Sequence, residues 1–260
     1  MSTPVEFACD CGKLRGELDA KTLKAATRVV CHCDDCRAFH VAVGRPDPGA
    51  ADGVDILQLA PAGMRLTQGV EHLAALRLSP KGLVRWYASC CDTPLAATMP
   101  NNVVPFAGLL TGRLTSTERL GRVQAHGFLR NARGEVRHQN IGRLVRGMLS
   151  RTVAAYVSGR AKQTPFRDPE SGDFIVEPML VDRARRDEIY ARRRRAGSRT
   201  RPTHRAIHRL PVVLRHFSNV RSICRPATVD KDRGAGDHRG GVRGEEQNRA
   251  HHVFDRRDPR

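Results

Sequence analysis

The chain has 260 residues, 40% of them hydrophobic, and a formal net charge of +18. The charge is uneven, because residues 183–260 hold 22 Lys or Arg against 9 Asp or Glu, whereas residues 1–182 hold 23 against 18. No run of 18 apolar residues and no basic-then-apolar signal segment is present, so we expect a cytoplasmic protein without a membrane partner.

The first part of the chain predicts short β-strands separated by turns. Apolar alternation and β-branched residues place strands at residues 5–18 around a turn, then at 27–30, 56–59, 64–68, 73–78 and 83–88, with the last near 93–95. Gly and Pro in residues 61–63 and 79–82 mark turns between them. This spacing favours an antiparallel sheet, so the predicted fold is mainly β.

An amphipathic helix is predicted after the strands, at about residues 137–159. Its apolar residues follow the i, i+3, i+4 spacing of one helix face: Ile141, Leu144, Val145, Met148, Leu149, Val153, Tyr156 and Val157. We expect this face to pack against the sheet. An irregular covering segment at 164–178 and a short helix at 181–192 complete a predicted domain of residues 1–192.

The remainder, residues 193–260, is rich in Arg, Gly, His and Asp and has little apolar periodicity. Such a segment cannot bury enough apolar surface to offset its conformational entropy, so we predict a disordered basic tail. Its arginines could contact nucleic acid through the phosphates. The alternative is a solvated extension without a selected function.

Seven of the eight cysteines lie between Cys9 and Cys91, and only Cys224 is isolated in the tail. In a reducing compartment, closely spaced thiols are more often metal ligands than disulfide partners. The alternative, that they are small buried hydrophobic residues or a disulfide network, does not explain their C-x-C and C-x-C-x-x-C spacing. Such turns let neighbouring sulfurs reach one zinc ion without straining the chain. The sequence therefore predicts bound zinc.

The run Cys31-x-Cys33-x-x-Cys36 follows a predicted strand and supplies three thiolates. Three protein ligands are typical of catalytic zinc sites, which keep the fourth position for water or substrate. We therefore predict a working metal site at Cys31, Cys33 and Cys36.

The other four cysteines leave two arrangements open. Cys9 and Cys11 form a C-x-C turn, whereas Cys90 and Cys91 are adjacent, and adjacent side chains on an extended strand point to opposite faces. They can bind one ion only if they lie on a turn. Either all four thiolates form a structural zinc site, which we favour, or one of the adjacent pair binds with a ligand from elsewhere.

Three motifs carry a resemblance to a known family. They are Cys9-Asp10-Cys11-Gly12, Cys31-His32-Cys33-Asp34-Asp35-Cys36-Arg37 and Cys91-Asp92-Thr93-Pro94-Leu95. Over roughly residues 5–100 the chain resembles the glutathione-dependent formaldehyde-activating enzymes and centromere protein V, and looks like an uncharacterised bacterial branch of them. The family's late motif is C-x-x-C-G-T-x-L, whereas here Ala88 stands at the first cysteine and Asp92 at the glycine.

The resemblance implies a zinc-binding β-tent-like core with two zinc ions. The first C-x-C and the late cysteine pair would hold a structural ion, and the C-x-C-x-x-C run a catalytic one. The implied reaction joins glutathione and formaldehyde in S-hydroxymethylglutathione, with zinc polarising an oxygen or sulfur of the adduct. The implied cofactors are therefore zinc and glutathione or a similar thiol.

Four further residues are candidates for the site. His32 lies within the cysteine run and is a candidate catalytic proton carrier, because histidine titrates near neutral pH. Arg37, Lys81 and Arg85 flank the motifs and are candidates to bind the carboxylates of the substrate; the alternative for each is an ordinary solvated charge.

Two functions are compatible with these patterns. The first is a zinc-dependent carbon–sulfur lyase-type enzyme whose partner is a small-molecule thiol adduct of an aldehyde. The second is a non-catalytic, zinc-stabilised binding module, with nucleic acid contacted only through the basic tail. An enzyme predicts three protein ligands at Cys31, Cys33 and Cys36, whereas a module predicts a fourth protein ligand or no metal there.

Overall fold

A computed structural model describes residues 3–101, 103–131 and 133–199, with residues 193–199 described by their backbone alone. The strands are β1 (Val5–Ala8), β2 (Arg15–Leu18), β3 (Thr27–Cys31), β4 (Val54–Leu59), β5 (Met64–Gln68), β6 (Leu73–Arg77), β7 (Val84–Ala88), β8 (Thr93–Thr98), β9 (Ala107–Leu110), β10 (Ala125–Arg130), β11 (Val136–Gln139) and β12 (Met179–Leu180). The helices are α1 (Ala20–Ala25), α2 (Asp34–Ala42), α3 (Ile141–Val157) and α4 (Arg183–Arg199).

Within the described residues the strands form two sheets. The small sheet has the order β1-β2-β5, and the large one has the order β11-β10-β3-β4-β9-β8-β7-β6-β12. Neighbouring strands are antiparallel except for β10 beside β3 and β12 beside β6, which are parallel. The mainly β fold predicted from the sequence is confirmed, and the predicted strands correspond to β1 to β8.

The main core contains residues from both sheets. Trp86 on β7 is fully buried, stacks on Phe166 with ring centroids 4.6 Å apart, and donates from Nε1 to Thr98 Oγ1 over 2.9 Å. Phe7 on β1 belongs to the same cluster. Since Phe166 lies in the predicted covering segment, that segment does cover the sheet. A buried indole with a satisfied N–H stabilises such a core.

Two helices beside the sheets begin with side-chain caps. Asp19 caps α1, accepting a hydrogen bond from the backbone N of Thr22 at 2.6 Å. Cys33 caps α2, accepting from the backbone N of Cys36 at 3.3 Å. Such caps satisfy N–H groups that have no partner inside the helix. Helix α2 therefore begins inside the second cysteine run.

Helix α3 presents an unexpected face to the sheet. Arg151 and Ala155 are its buried residues, and Leu144, Gly147 and Met148 are half-buried beside them. Most of the predicted apolar face is instead 41% exposed or more, namely Ile141, Val145, Leu149, Val153, Tyr156 and Val157. The expectation that these side chains pack on the sheet was wrong. The difference is explained by Gly147, which has no side chain, and Ala155, which has a small one, because they allow close packing. A Cβ at Gly147 would lie 2.5 Å from Thr27 Oγ1.

The last described helix, α4, lies against α2 and buries Ile189 in a small cluster with Phe39. It continues to Arg199, so it extends beyond the predicted limit at Arg192 into the predicted tail. The predictions of disorder and of nucleic-acid contact for residues 200–260, and Cys224 with them, lie outside the described residues. In the described part, no helix has both the length and the apolar character needed to cross a membrane.

Candidate metal centres

The first cysteine group joins turns from the two sheets. Cys9 and Cys11 lie on the turn between β1 and β2, where Cys9 N donates to Leu14 O and Gly12 N donates to Cys9 O, both over 3.0 Å. Gly12 has a φ of 74°, a left-handed conformation that glycine adopts without steric cost. These bonds hold the C-x-C segment in a tight turn.

Cys90 and Cys91 lie on the turn between β7 and β8, so the condition that adjacent cysteines need a turn is met. Asp92 follows with a φ of 52°, and aspartate tolerates this left-handed conformation better than most residues. This is the position where the resembled family has glycine. The aspartate therefore keeps the backbone conformation that a glycine would favour.

The four sulfurs of this first group lie at the distances that a tetrahedral thiolate site requires. Cys9 Sγ is 3.5 Å from Cys11 Sγ and 3.8 Å from Cys90 Sγ, and Cys11 Sγ is 3.3 Å from Cys90 Sγ. Cys91 Sγ is 3.8 Å from Cys90 Sγ, and all four sulfurs lie within 4.8 Å of one another. A tetrahedron with zinc–sulfur bonds of about 2.3 Å has edges of about 3.8 Å. The group can hold one metal ion with all four thiolates.

Two arginines that sequence reasoning missed contact these turns, and Arg45 contacts both of them. Arg45 Nη2 donates to Asp10 Oδ2 over 2.7 Å and to the Cys91 carbonyl over 2.6 Å, and its Nε donates to the Asp92 carbonyl over 3.0 Å. Arg113 pairs with the other carboxylate oxygen of Asp10. Partial burial opposes ionisation, but Arg113 and Arg45 together lower the pKa of Asp10. These charged contacts tie the two cysteine turns together.

The second cysteine group lies where β3 ends and α2 begins. Cys31 is the last residue of β3, Cys33 caps α2 and Cys36 is in its first turn. Cys31 Sγ lies 3.3 Å from Cys33 Sγ, and the three sulfurs lie within 4.8 Å of one another. Among the residues that the structure describes, no fourth Cys, His, Asp or Glu joins the group. The group can hold a metal ion with three thiolates.

In the second group, the surroundings of the buried Cys36 favour the thiolate form of its side chain. Hydrogen bonds from Cys31 and Cys33 are the main reason that the pKa of the buried Cys36 thiol lies well below its ordinary value, and Arg85 lowers it further. The hydrogen bonds with Cys33 and Cys36, together with burial, raise the pKa of Cys31. Three sulfurs this close cannot all ionise unless a cation lies between them. A divalent metal ion supplies that charge.

A cavity of about 250 Å³ opens beside the second group. Cys31, Cys33 and Cys36 line it, and its walls are mostly apolar. The apolar residues come from the large sheet, from the loops before β7 and β9, and from α3: Val29, Ile56, Leu83, Ala97, Phe106, Phe128, Ile141 and Leu144. Because α3 covers one side, the cysteines face a partly covered, mainly apolar cavity that is open to solvent on another side.

Two buried polar side chains line this cavity. Arg85 is 4% exposed, donates from Nη1 to Cys36 Sγ over 3.9 Å, and places its guanidinium 5.6 Å from the ring centre of Phe39. Gln58 on β4 has a buried Oε1 that accepts no hydrogen bond within the described part of the chain. An unpaired buried carbonyl is costly unless a ligand satisfies it. Gln58 was missed because a lone Gln in a strand carries no sequence signal.

The other predicted site residues lie elsewhere. His32 is buried and does not line the cavity; its Nδ1 is 3.0 Å from the Ala50 carbonyl and its Nε2 is 3.3 Å from His126 Nδ1. Arg37 is buried in a two-bond ion pair with Asp47, at 2.8 and 2.6 Å. Lys81 is exposed on the turn between β6 and β7. Of the predicted substrate-binding residues, only Arg85 lines the cavity.

Comparison with known proteins gives a family but no activity. A crystal structure of a Rhodobacter sphaeroides protein, a structural genomics target, is similar at 18% sequence identity and a TM-score of 0.32, over 45% of this chain and 96% of that one. No curated protein matches the sequence. The family model described as "Family of unknown function (DUF6151)" matches residues 1–158, which is more than half of the chain. The protein therefore belongs to the DUF6151 family of unknown function.

Proposed function

We propose that this protein is a zinc-dependent enzyme of the carbon–sulfur lyase type that acts on a thiol adduct of an aldehyde. The observation that carries the proposal is the second cysteine group, in which three thiols without a fourth protein ligand among the described residues face an apolar cavity. The resemblance to the glutathione-dependent formaldehyde-activating enzymes supports the same reaction class.

Zinc is the metal that suits both groups best. Sets of three or four thiolates select soft or borderline ions, and zinc takes tetrahedral thiolate sites without redox chemistry. In the second group, three thiolates and one divalent ion leave one net negative charge, which the buried Arg85 balances. When bound there, zinc acts as a Lewis acid towards an oxygen or sulfur of the substrate. The first group, with four thiolates, is a structural site.

The proposed reaction is the reversible addition of a thiol to an aldehyde. The thiol sulfur forms a bond to the carbonyl carbon, and the thiol proton moves to the carbonyl oxygen, so neither an oxidant nor a reductant is needed. The hydroxyl of the adduct can donate to Gln58 Oε1, whose acceptor position is free among the described residues. The mainly apolar walls reduce the number of water molecules near the reacting atoms.

The cavity limits how much of the substrate it encloses. Its volume of about 250 Å³ is below the range of roughly 300–1,000 Å³ that encloses drug-sized ligands. It therefore takes the aldehyde carbon and the sulfur-bearing end of the thiol, and the rest of a glutathione-like molecule lies outside. Arg37 is held in its ion pair with Asp47 and does not line the cavity, so it does not bind the carboxylates of a thiol there.

Zinc content and activity together test the proposal. Elemental analysis of the full chain is expected to give two zinc ions per protein, and Cys33→Ala is expected to lose one without unfolding. Cys224→Ala, which changes a cysteine outside both groups, is the control and should keep both ions. Activity is followed by NMR, as formation and breakdown of the adduct of formaldehyde with glutathione.

The outcomes separate the two candidate functions. Adduct turnover that is lost in Cys33→Ala but kept in Cys224→Ala supports the enzyme. A single zinc ion, lost with Cys11 and unaffected by Cys33→Ala, leaves a zinc-stabilised binding module and overturns the proposal. Two zinc ions without turnover of any thiol adduct, tested also with cysteine and coenzyme A as thiols, overturn it as well.

A further inference from the structure

A second cavity, whose lining includes none of the cysteines, lies between α1, α3 and the loop after β4. Its volume is about 180 Å³. Five of its ten lining residues are alanines, and they come from all three segments: Ala25, Ala60, Ala62, Ala154 and Ala155. No Asp or Glu is among its lining residues. The wall of the cavity is therefore largely apolar and carries no acidic side chain.

Arg151 on α3 supplies a buried positive charge to this cavity. It is 8% exposed, and its Nη1 donates to the Ala25 carbonyl over 3.1 Å and to Thr27 Oγ1 over 2.8 Å. Its Nη2 is buried and, in the described residues, has no hydrogen-bond partner. Burial lowers the pKa of Arg151 to about 10, so the guanidinium stays charged at neutral pH. A buried charge without a counter-ion is costly, which indicates that an anion completes the site.

The rest of the lining agrees with an anionic ligand. Lys21 and Arg160 add positive charge at the edges, and Arg160 is fixed by a hydrogen bond from Nη2 to the Ala62 carbonyl over 2.7 Å. The hydroxyls of Thr22 and Ser158 also line the cavity. Asp19, the acidic residue just before α1, does not line the cavity. Its side chain instead caps α1.

We infer that this cavity binds a small organic carboxylate, with the carboxylate on Arg151 Nη2 and a short apolar chain against the alanines. A volume of about 180 Å³ is far above the roughly 10–15 Å³ that one water needs, yet below that of sites for drug-sized ligands. One unpaired guanidinium nitrogen suits a single negative charge, and the alanine wall suits a hydrocarbon chain, which inorganic phosphate lacks. The inference does not rest on the proposed zinc chemistry.

Isothermal titration calorimetry of the full zinc-loaded chain with hexanoate tests the inference. Hexanol, which has the same chain length without the charge, and inorganic phosphate are the comparison ligands. Arg151→Met keeps the length of the side chain and removes its charge, and Arg146→Met removes an exposed charge from the same helix as the control. We expect hexanoate to bind the wild type and Arg146→Met equally, and Arg151→Met at least about tenfold more weakly.

A second variant keeps the test decisive if Arg151→Met does not fold. Ala154→Leu fills the cavity from an exposed position and leaves Arg151 in place, so it too should weaken hexanoate binding at least about tenfold. Cys33→Ala should bind hexanoate normally, which separates this site from the zinc site. No hexanoate binding to the wild type, equal binding of hexanol, stronger binding of phosphate, or an equal loss in Arg146→Met each overturns the inference.

Discussion

Arg85 donates from Nη1 to the Sγ of Cys36 over 3.9 Å, and both side chains are buried. The guanidinium therefore offsets negative charge on the second cysteine group from inside the protein. A hydrogen bond to a charged group contributes about 1.5–3 kcal/mol. Removing it should weaken metal binding at this group while leaving the first group unaffected.

Arg85→Met is expected to raise the zinc dissociation constant of the second group by about tenfold or more. Competition with a chromophoric chelator measures it, and comparison with Cys33→Ala assigns the released zinc to one of the two groups. Arg65→Met, which breaks an exposed ion pair with Glu17, is the matched control and should change neither step. Equal affinities for Arg85→Met and wild type would show that the arginine does not act on the metal group.

Cys11→Ser tests whether the first group is a structural metal site. Cys11 is exposed, so its thiol contributes little by burial. With zinc present, the substitution should lower the free energy of unfolding by about 4 kcal/mol or more, because a metal ligand is lost. With zinc removed by a chelator, wild type and variant should unfold at nearly the same urea concentration. A similar destabilisation with and without zinc contradicts the metal role.

Asp92 tests the conformation of the Cys90-Cys91 turn. Its φ of 52° is strained for most side chains, whereas its carbonyl accepts from Arg45 in any variant. Asp92→Gly should therefore leave stability unchanged or slightly raised, and Asp92→Val should cost about 1–2 kcal/mol. Urea unfolding of the zinc-loaded protein measures both. A loss in Asp92→Gly as large as that in Asp92→Val would instead assign the role to the carboxylate.

His40 on α2 gives a prediction for pH dependence. Its Nε2 is buried without a hydrogen-bond partner among the described residues. Burial is the main reason that its pKa falls to about 4; Arg113, Arg85 and Arg45 lower it further, and Asp47 opposes them. The unfolded chain, with a pKa of about 6.5, binds the proton more tightly. Stability from His40 is therefore fully present above about pH 6.5 and is lost as the pH falls towards 4.

The size of this effect is up to about 3 kcal/mol. His40→Leu should remove it, so the difference in unfolding free energy between wild type and variant should change between pH 7 and pH 4.5. Comparing both proteins at each pH cancels the acid-induced loss of metal from the thiolates. A constant difference across this range would show that His40 is not held neutral in the folded protein.

Gln58 separates stability from activity. Gln58→Leu keeps the size of the side chain and removes an unpaired buried carbonyl, so the free energy of unfolding should rise by about 1 kcal/mol. If the adduct hydroxyl donates to this oxygen, kcat/KM should fall by at least about tenfold. Ile56→Val, which trims the same cavity wall, is the control and should change activity much less. Unchanged activity in Gln58→Leu would remove it from the substrate contacts.

The strands and the cysteine groups could be predicted because their signals are local. Alternation along a strand needs only neighbouring residues, and the C-x-C and C-x-C-x-x-C spacings place sulfurs close together on any turn. Cys90 and Cys91 join Cys9 and Cys11 because the turn between β7 and β8 lies beside the turn after β1. The sequence left two arrangements of these four cysteines open. The turn that ends at Asp92 brings all four together.

Other features depend on contacts between distant segments. Arg85 and Arg37 look alike in sequence, yet Arg37 meets Asp47 whereas Arg85 meets the sulfur of Cys36. The inward face of α3 is chosen by close packing of Gly147 against Thr27, which outweighs the apolar periodicity of the helix. No pattern within α3 alone gives that result.

The two cysteine groups also differ in when they can form during synthesis. Cys31, Cys33 and Cys36 are near neighbours in the chain and can take up a metal soon after they leave the ribosome. Cys9 and Cys90 are 81 positions apart, so the four-thiolate group waits until the turn after β7 has been made. A chain stalled before Cys90 therefore carries all three thiols of the second group but only two of the four thiols of the first.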